Sequence, residues 1–199
     1  FSYMEETMAK YFGTDGFRGE ANVDLTAEHA FKIGRFLGWY YGRGHKARVV
    51  IGKDTRRSSY MFEYALSAGL MSSGADAYLL HVTTTPSVSY IARVDDFDCG
   101  VMISASHNPY HDNGIKLINS QGEKMEESVL DEIEAYLDGL TSEPPLATGA
   151  GIGRTVDYSA GRNRYIGYLI SLSTHSYKGL RVGLDCANGS TWMIAKSVF

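Results

Sequence analysis

Hydrophobic positions along the chain fall into short, well-separated runs whose spacing predicts alternating strands and helices. Arg48–Gly52 (RVVIG), Ala77–Val82 (AYLLHV) and Cys99–Ser104 (CGVMIS) are continuous apolar, β-branched runs with the length of buried strands. Between them the period changes. Thr26 suits an N-cap, and Ala30, Ile33, Phe36, Leu37 and Tyr40 recur at helical spacing until Gly42. A second helix is expected over Tyr60–Ser73, stopping near Gly74, and a third from Pro86, in its first turn, to Val94. Strand–helix–strand–helix–strand at these lengths implies right-handed crossovers. The expected fold class is therefore α/β, a mainly parallel or mixed sheet flanked by helices. Lys116–Ile118 is expected to add a short edge strand and Glu126–Leu137 an amphipathic helix ending at Gly139, while the glycine-rich, polar stretch Phe12–Ala21 reads as a loop.

Two prolines, Pro144 and Pro145, sit in the glycine-rich stretch Thr141–Thr155, which marks a change of unit. Beyond it, Tyr158–Ser171 reads as a helix, Leu180–Cys186 (LRVGLDC) as a strand, and Ser190–Phe199 as an opening helix without a capping end. The expected division is a flexible N-terminal extension over 1–10, a first domain over 11–145, a linker over 146–157, and the beginning of a second α/β domain over 158–199. The chain reads as a fragment of something longer, with Met4 or Met8 as the natural start.

Composition narrows the function classes. The 23 acidic and 19 basic residues leave a net charge of −4, which offers no electrostatic case for nucleic acid or an anionic membrane. No apolar run approaches the ~20 residues of a membrane span, and nothing at the start resembles a signal peptide. Cys99 and Cys186, each inside a strand-like run, read as two buried thiols in a reducing, cytoplasmic setting. The 22 glycines exceed the usual share and imply many tight turns, the places where phosphates are bound. Trp39, with Tyr40 and Tyr41, reads as packing rather than as a sugar platform.

The candidate chemistry lies in Cys99–Ile118 (CGVMISASHNPYHDNGIKLI). A buried strand ends at Ser104, and Ser106 follows at the carboxyl edge where parallel α/β sheets bind ligands. His107 adjoins it, Asn108, Pro109 and an expected Asp112-Asn113-Gly114 turn shape the loop, and Lys116 lies on the next extended piece. A serine, a histidine and a lysine at a strand end suggest acyl or phosphoryl transfer, against the plainer reading of an ordered polar loop. The acyl-transfer elbow G-x-S-x-G is missing, because the flanks of Ser106 are Ser104 and Asn108. His107 is poorly placed as a base, since neighbouring side chains usually point apart. Phosphoryl transfer asks instead for positioning and positive charge. Gly13-Thr14-Asp15-Gly16-Phe17-Arg18-Gly19 supplies a glycine-rich loop and an arginine. Gly52-Lys53-Asp54-Thr55-Arg56-Arg57-Ser58-Ser59 supplies cations and hydroxyls near a helix start. Strand order places all three loops on one face. A serine-dependent hydrolase or phosphatase, and a non-catalytic anion-binding α/β module, remain as alternatives.

GTDGFRG, GKDTRRSS, ISASHNPYHDNGIK and VGLDCANG, in that order, resemble the phosphohexomutases across essentially the whole chain. MAKYFGTDGFRG and DNGIK are more similar to the bacterial amino-sugar branch than to the glucose or mannose branches. Leu117-Ile118 departs from the two aromatics more usual in that branch, so the sugar preference stays open. The resemblance implies a four-domain enzyme about twice this length, which interconverts glucosamine 6-phosphate and glucosamine 1-phosphate through glucosamine 1,6-bisphosphate. It implies that Ser106 is the phosphoserine and, through a phosphoryl oxygen, one ligand of a Mg²⁺ ion. The other ligands would come from an Asp-x-Asp-x-Asp loop beyond residue 199. It further implies that Lys116 is the active-site lysine, with Arg18 and His107 around the phosphoserine and Thr14, Asp15 and Gly16 in the same loop as Arg18. Arg56 would support that cluster, with Lys53, Asp54 and Asn108 as phosphate-loop residues. The expected partner is a small sugar phosphate, with a homodimer as the further expectation, and residues 1–199 alone are expected to have little or no mutase activity.

Overall fold

The computed structural model describes residues 11–199; the expected extension over 1–10 lies outside the described residues. Among the described residues seven strands form one sheet: β1 (Phe12–Gly13), β2 (Gly16–Glu20), β3 (Arg48–Lys53), β4 (Asp76–Val82), β5 (Cys99–Ile103), β6 (Asp112–Asn119) and β7 (Thr155–Asp157). Their order across the sheet is β1-β2-β6-β5-β3-β4-β7. The half built of β5, β3, β4 and β7 is parallel, and β1, β2 and β6 are antiparallel to their neighbours. The sheet is thus mixed, as expected of the fold class.

Side chains alternate across this sheet and divide the core in two. Val49, Ile51, Val101, Ile103, Ile115 and Leu117 face one way and pack with α1 (Ala27–Tyr41), α2 (Arg57–Ser72) and α4 (Glu127–Leu137). Val50, Met102 and Ile118 face the other way, against Val88 and Ile91 of α3 (Thr85–Val94). Thr26 caps α1 as expected: its hydroxyl accepts from the His29 N–H while the His29 ring accepts from the Thr26 N–H. Trp39 packs partly buried against the core, edge-on to Phe36.

Several expectations are corrected. Phe12–Ala21 is not a loop: β1 and β2 form a hairpin with Thr14 and Asp15 at its tip, and β2 pairs along β6. Glycine made it look like a loop, but here glycine permits close approach. Gly16 sits at φ +88°, and a Cβ there would lie 2.4 Å from the Ile115 carbonyl oxygen. Lys116–Ile118 is no short edge strand but the middle of β6, which lies between β2 and β5. The Asp112-Asn113-Gly114 turn is the start of that same strand. Antiparallel return from β5 needs only a loop, whereas a parallel neighbour would need a helical crossover.

Leu180–Cys186 forms no strand: no strand pairs with it among the described residues, and Cys186 is half-buried rather than buried, with Cys99 buried in β5. The stretch expected as a linker, 146–157, is anchored rather than free. The Ala147 and Gly153 N–H groups donate to Ser72 and Met71, and β7 pairs with β4. The following helix, α5 (Ser159–Ser171), packs on α3, with the Tyr168 and Tyr90 rings stacked at 4.4 Å. A last helix, α6 (Trp192–Val198), ends the chain.

Helices α1 and α2 meet through a pair of glycines. A Cβ on Gly34 would lie 2.2 Å from the Leu66 carbonyl oxygen, and one on Gly69 would lie 2.1 Å from that of Phe31. Backbone cannot retreat as a flexible side chain can, so Gly69→Ala should destabilise the protein by about 1–3 kcal/mol. Gly44→Ala, with nothing within 4 Å of its Cβ position, should leave the thermal midpoint essentially unchanged. Equal midpoints for the two variants in a thermal melt would refute the close-packing account.

Candidate active site

The loop between β5 and β6 carries the candidate nucleophile. Ser106 is exposed and lies in the left-handed region at φ +56°, a conformation that costs a residue with a side chain energy unless its surroundings impose it. They do so here through backbone bonds. The Ser106 N–H donates to Ser104 Oγ at 3.0 Å. The Arg56 guanidinium donates to the carbonyls of Ser106 (3.2 Å), Asn108 (2.7 Å) and Asp112 (2.9 Å). Asn108 closes the loop through Asp112 Oδ2 at 3.0 Å. The twist also brings Ser106 Oγ within 3.4 Å of His107 Nδ1. The expectation that adjacent side chains diverge therefore fails, because it assumes ordinary extended or helical backbone.

The second wall of the site follows from strand alternation. Lys116 stands opposite Met102, and Arg18 opposite Gly114. Both thus share the sheet face of Met102, the face that packs on α3. Gly114 has no side chain to separate Arg18 from the end of β5: a Cβ there would lie 2.7 Å from Ser104 O and 3.0 Å from Arg18 Cγ. Asp15, exposed at the hairpin tip, pairs with Arg18 at 3.4 Å; Thr14 and Gly16 line the same hollow as Lys116. Burial, and then the Arg18 guanidinium, hold the Lys116 amine below the usual lysine range, while Asp15 opposes them. A lysine whose amine is held below its usual range is suited to proton transfer.

Two expected phosphate-loop residues have other work. Lys53 is buried under α2, paired with Glu63, with its ammonium 4.2 Å from the Tyr60 ring centroid. It faces away from the cleft because it shares the parity of Val49 and Ile51. Asp54 is also buried, accepting from Ser59 Oγ (2.6 Å), the Arg56 N–H (3.0 Å) and Arg56 Nη1 (3.2 Å). Arg56 is consequently a clamp for the serine loop, with every part of its guanidinium engaged.

The serine loop opens on a cleft of about 750 Å³ lined by Arg57, Thr84, Thr85, Ser106, His107 and the turn Ala187–Thr191. Thr55 Oγ1 reaches that turn, donating to Asn188 O at 2.5 Å. Arg57 was visible only as one cation among three, and Thr84 and Thr85 carried no signal beyond a helix start. Asn113 was read as a turn residue. It is buried instead, and its amide donates to Ser58 Oγ and Ser59 Oγ at 2.8 and 2.9 Å. An asparagine inside a strand that cannot satisfy its own side chain was the available clue.

Among the described residues no group of three or more His, Cys, Asp or Glu could hold a metal. Asp54 and Asp112 are occupied by Arg56 and Asn108, while Ser106 is exposed in front of them.

Comparison with known proteins identifies the family. The family model for phosphoglucomutase/phosphomannomutase, alpha/beta/alpha domain I, matches residues 9–143. The chain belongs to that family. A curated phosphoglucosamine mutase of Lachnospira eligens is 73% identical over 195 residues, 96% of this chain and 43% of that protein. Those of Lachnoclostridium phytofermentans and Bacillus cereus are 69% and 47% identical, with the same shares covered. The chain thus spans less than half the length of these relatives. A phosphoglucomutase/phosphomannomutase family protein from Burkholderia thailandensis superposes with a TM-score of 0.65 at 22% identity, over 81% of this chain and 35% of that one. It shares the fold.

Two outcomes test the site. Arg56→Lys keeps charge but loses the planar fork. Losing even one charge-assisted hydrogen bond of ~1.5 kcal/mol implies about a tenfold rise in amide exchange over residues 104–112; unchanged exchange would remove Arg56 from the clamp. For Lys116 the reactive species is the neutral amine, which gains as pH rises through its pKa. Arg18→Gln removes a lowering influence and should move the pH midpoint of Lys116 acylation, read by mass spectrometry, upward. Asp15→Asn removes a raising one and should move it downward. Shifts in the same direction would contradict the electrostatic account.

Proposed function

We propose that this chain is the phosphoserine-bearing part of a phosphoglucosamine mutase, interconverting glucosamine 6-phosphate and glucosamine 1-phosphate through the 1,6-bisphosphate. The observation that carries the reading is an outward serine, held in a left-handed turn by Arg56 just past the carboxyl end of β5, with Lys116 and Arg18 on one sheet face opposite and alongside that strand end. The amino-sugar preference rests on the names of the relatives at 73% and 69% identity.

In this reading Ser106 Oγ carries a phosphoryl group. The free sugar hydroxyl attacks phosphorus, the bond to Ser106 Oγ breaks, and the hydroxyl proton passes to the neutral Lys116 amine. The bisphosphate turns over, its other phosphate returns to Ser106 Oγ, and Lys116 returns the proton to the departing sugar oxygen. Arg18, with its Nε buried and unpartnered among the described residues, offers donors to the charge that develops on the phosphoryl oxygens. His107, in contact with Ser106 Oγ, orients it. A Mg²⁺ ion held through the phosphoryl oxygen on Ser106 would balance the roughly −1.5 to −2 charge of a phosphoserine. The remaining steps are positioning: the Arg56 clamp fixes the phosphoryl donor before the sugar arrives. A reading in the glucose or mannose branch uses the same residues and differs only in the sugar accepted.

Incubating the full-length protein with glucosamine 1,6-bisphosphate and Mg²⁺, then mapping peptides by mass, tests this directly. A phosphate-sized increment on the Ser106 peptide, lost in Ser106→Ala, is expected, together with mutase turnover. Inorganic phosphate released without isomerised sugar would favour a phosphatase. Binding without any increment would leave only an anion-binding module.

A further inference from the structure

The cleft in front of Ser106 is short of available positive charge, and this singles out one residue. Arg56 and Asp54 neutralise each other, and the guanidinium of Arg56 is engaged with three loop carbonyls as well. Lys53 faces the opposite side of the sheet, paired with Glu63. Arg18 is shared with Asp15. Of the two arginines that line this cleft, Arg56 and Arg57, only Arg57 makes no ion pair or hydrogen bond with its guanidinium among the described residues, and it is exposed. It opens α2, so its side chain starts from the carboxyl end of β3, beside the clamp that holds the serine loop.

Resting on the mutase reading, we infer that Arg57 retains the sugar bisphosphate at the cleft mouth while it turns over between the two phosphoryl transfers. Chemistry at Ser106 is complete at that moment, because the phosphoryl group has left the serine and the intermediate carries both phosphates. The serine has then lost its charge, and the intermediate, bearing two phosphates, is free to diffuse away. A long side chain with a planar, permanently charged fork can follow either phosphate through the turn without fixing the ring. Its exposure suits this task, since a buried cation would hold one orientation and oppose the turn. Arg57 is here a retaining residue for the intermediate and takes no part in bond making.

The test compares full-length wild type with Arg57→Gln, Arg57→Lys and Arg154→Gln. Arg154 is likewise exposed but lies at the opposite, amino end of the parallel strands, so it controls for net charge. Release of labelled bisphosphate into solution per turnover is measured, along with the added bisphosphate needed for half-maximal rate. Arg57→Gln should raise both by about tenfold, the loss of one charge-assisted phosphate contact. Arg57→Lys should recover part of the effect, and high salt should weaken wild type more than Arg57→Gln. Arg154→Gln should match wild type. Release and requirement within twofold of wild type in Arg57→Gln, with Ser106 normally phosphorylated, would overturn the inference. So would an equal rise in Arg154→Gln, which would mark a charge effect of the whole surface. Failure of wild type to phosphorylate Ser106 at all would instead bring down the mutase reading on which it rests.

Discussion

A single buried carboxylate organises the site. Asp54 lies at the end of β3 with almost no contact with solvent, and a charge there needs partners. It finds them in Ser59 and in both the backbone and the guanidinium of Arg56. That fixes the plane of the Arg56 fork, and the fork gathers the carbonyls of Ser106, Asn108 and Asp112. The left-handed turn at Ser106 is thereby imposed from outside the loop, and its energetic cost is offset by charge-assisted hydrogen bonds. Asn113 ties the same loop to the first turn of α2 from the other side. The nucleophile is held by a helix start and a strand end, not by the loop's own sequence.

The antiparallel return of β6 supplies the rest. A wholly parallel sheet would carry the chain from the serine loop into a helix, leaving the lysine remote. Instead β6 runs straight back beside β5, and β2 adds along its other edge. The period of two then places Lys116 and Arg18 on the face of Met102 without any long-range loop. Partial burial first, and then the nearby Arg18 guanidinium, hold the lysine below its normal range. One topological feature thus sets the position of the candidate acid–base group and biases its pKa downward.

Charge in this protein is distributed by layer. On the face of α1 and α2, Lys53 is neutralised by Glu63 within the packing, while on the cleft side the cations stay accessible to ligand to differing degrees. Arg56 is fully engaged, Arg18 is shared with an exposed carboxylate, and Arg57 is free among the described residues. This gradation follows distance from the buried end of β3, where desolvation demands pairing, to the mouth, where water makes pairing unnecessary.

The sequence by itself determined the parallel strands β3, β4 and β5, the helices that flank them and the Thr26 cap of α1, because each rests on local periodicity and short-range hydrogen bonding. It also marked Ser106, Lys116 and Arg18, since small and charged residues at strand ends stand out from apolar runs. It misread the glycine-rich hairpin and the Asp112-Asn113-Gly114 start of β6. Turn-forming residues there serve close backbone approach and buried hydrogen bonding, which depend on partners far along the chain. Lys53, Asp54, Arg56 and Arg57 are near neighbours in sequence and chemically alike in part, yet one is buried in an ion pair, two form a clamp and one is exposed. Only tertiary structure separates them, because which side of the sheet a side chain enters, and how much water remains there, decides whether its charge is neutralised or left for a ligand.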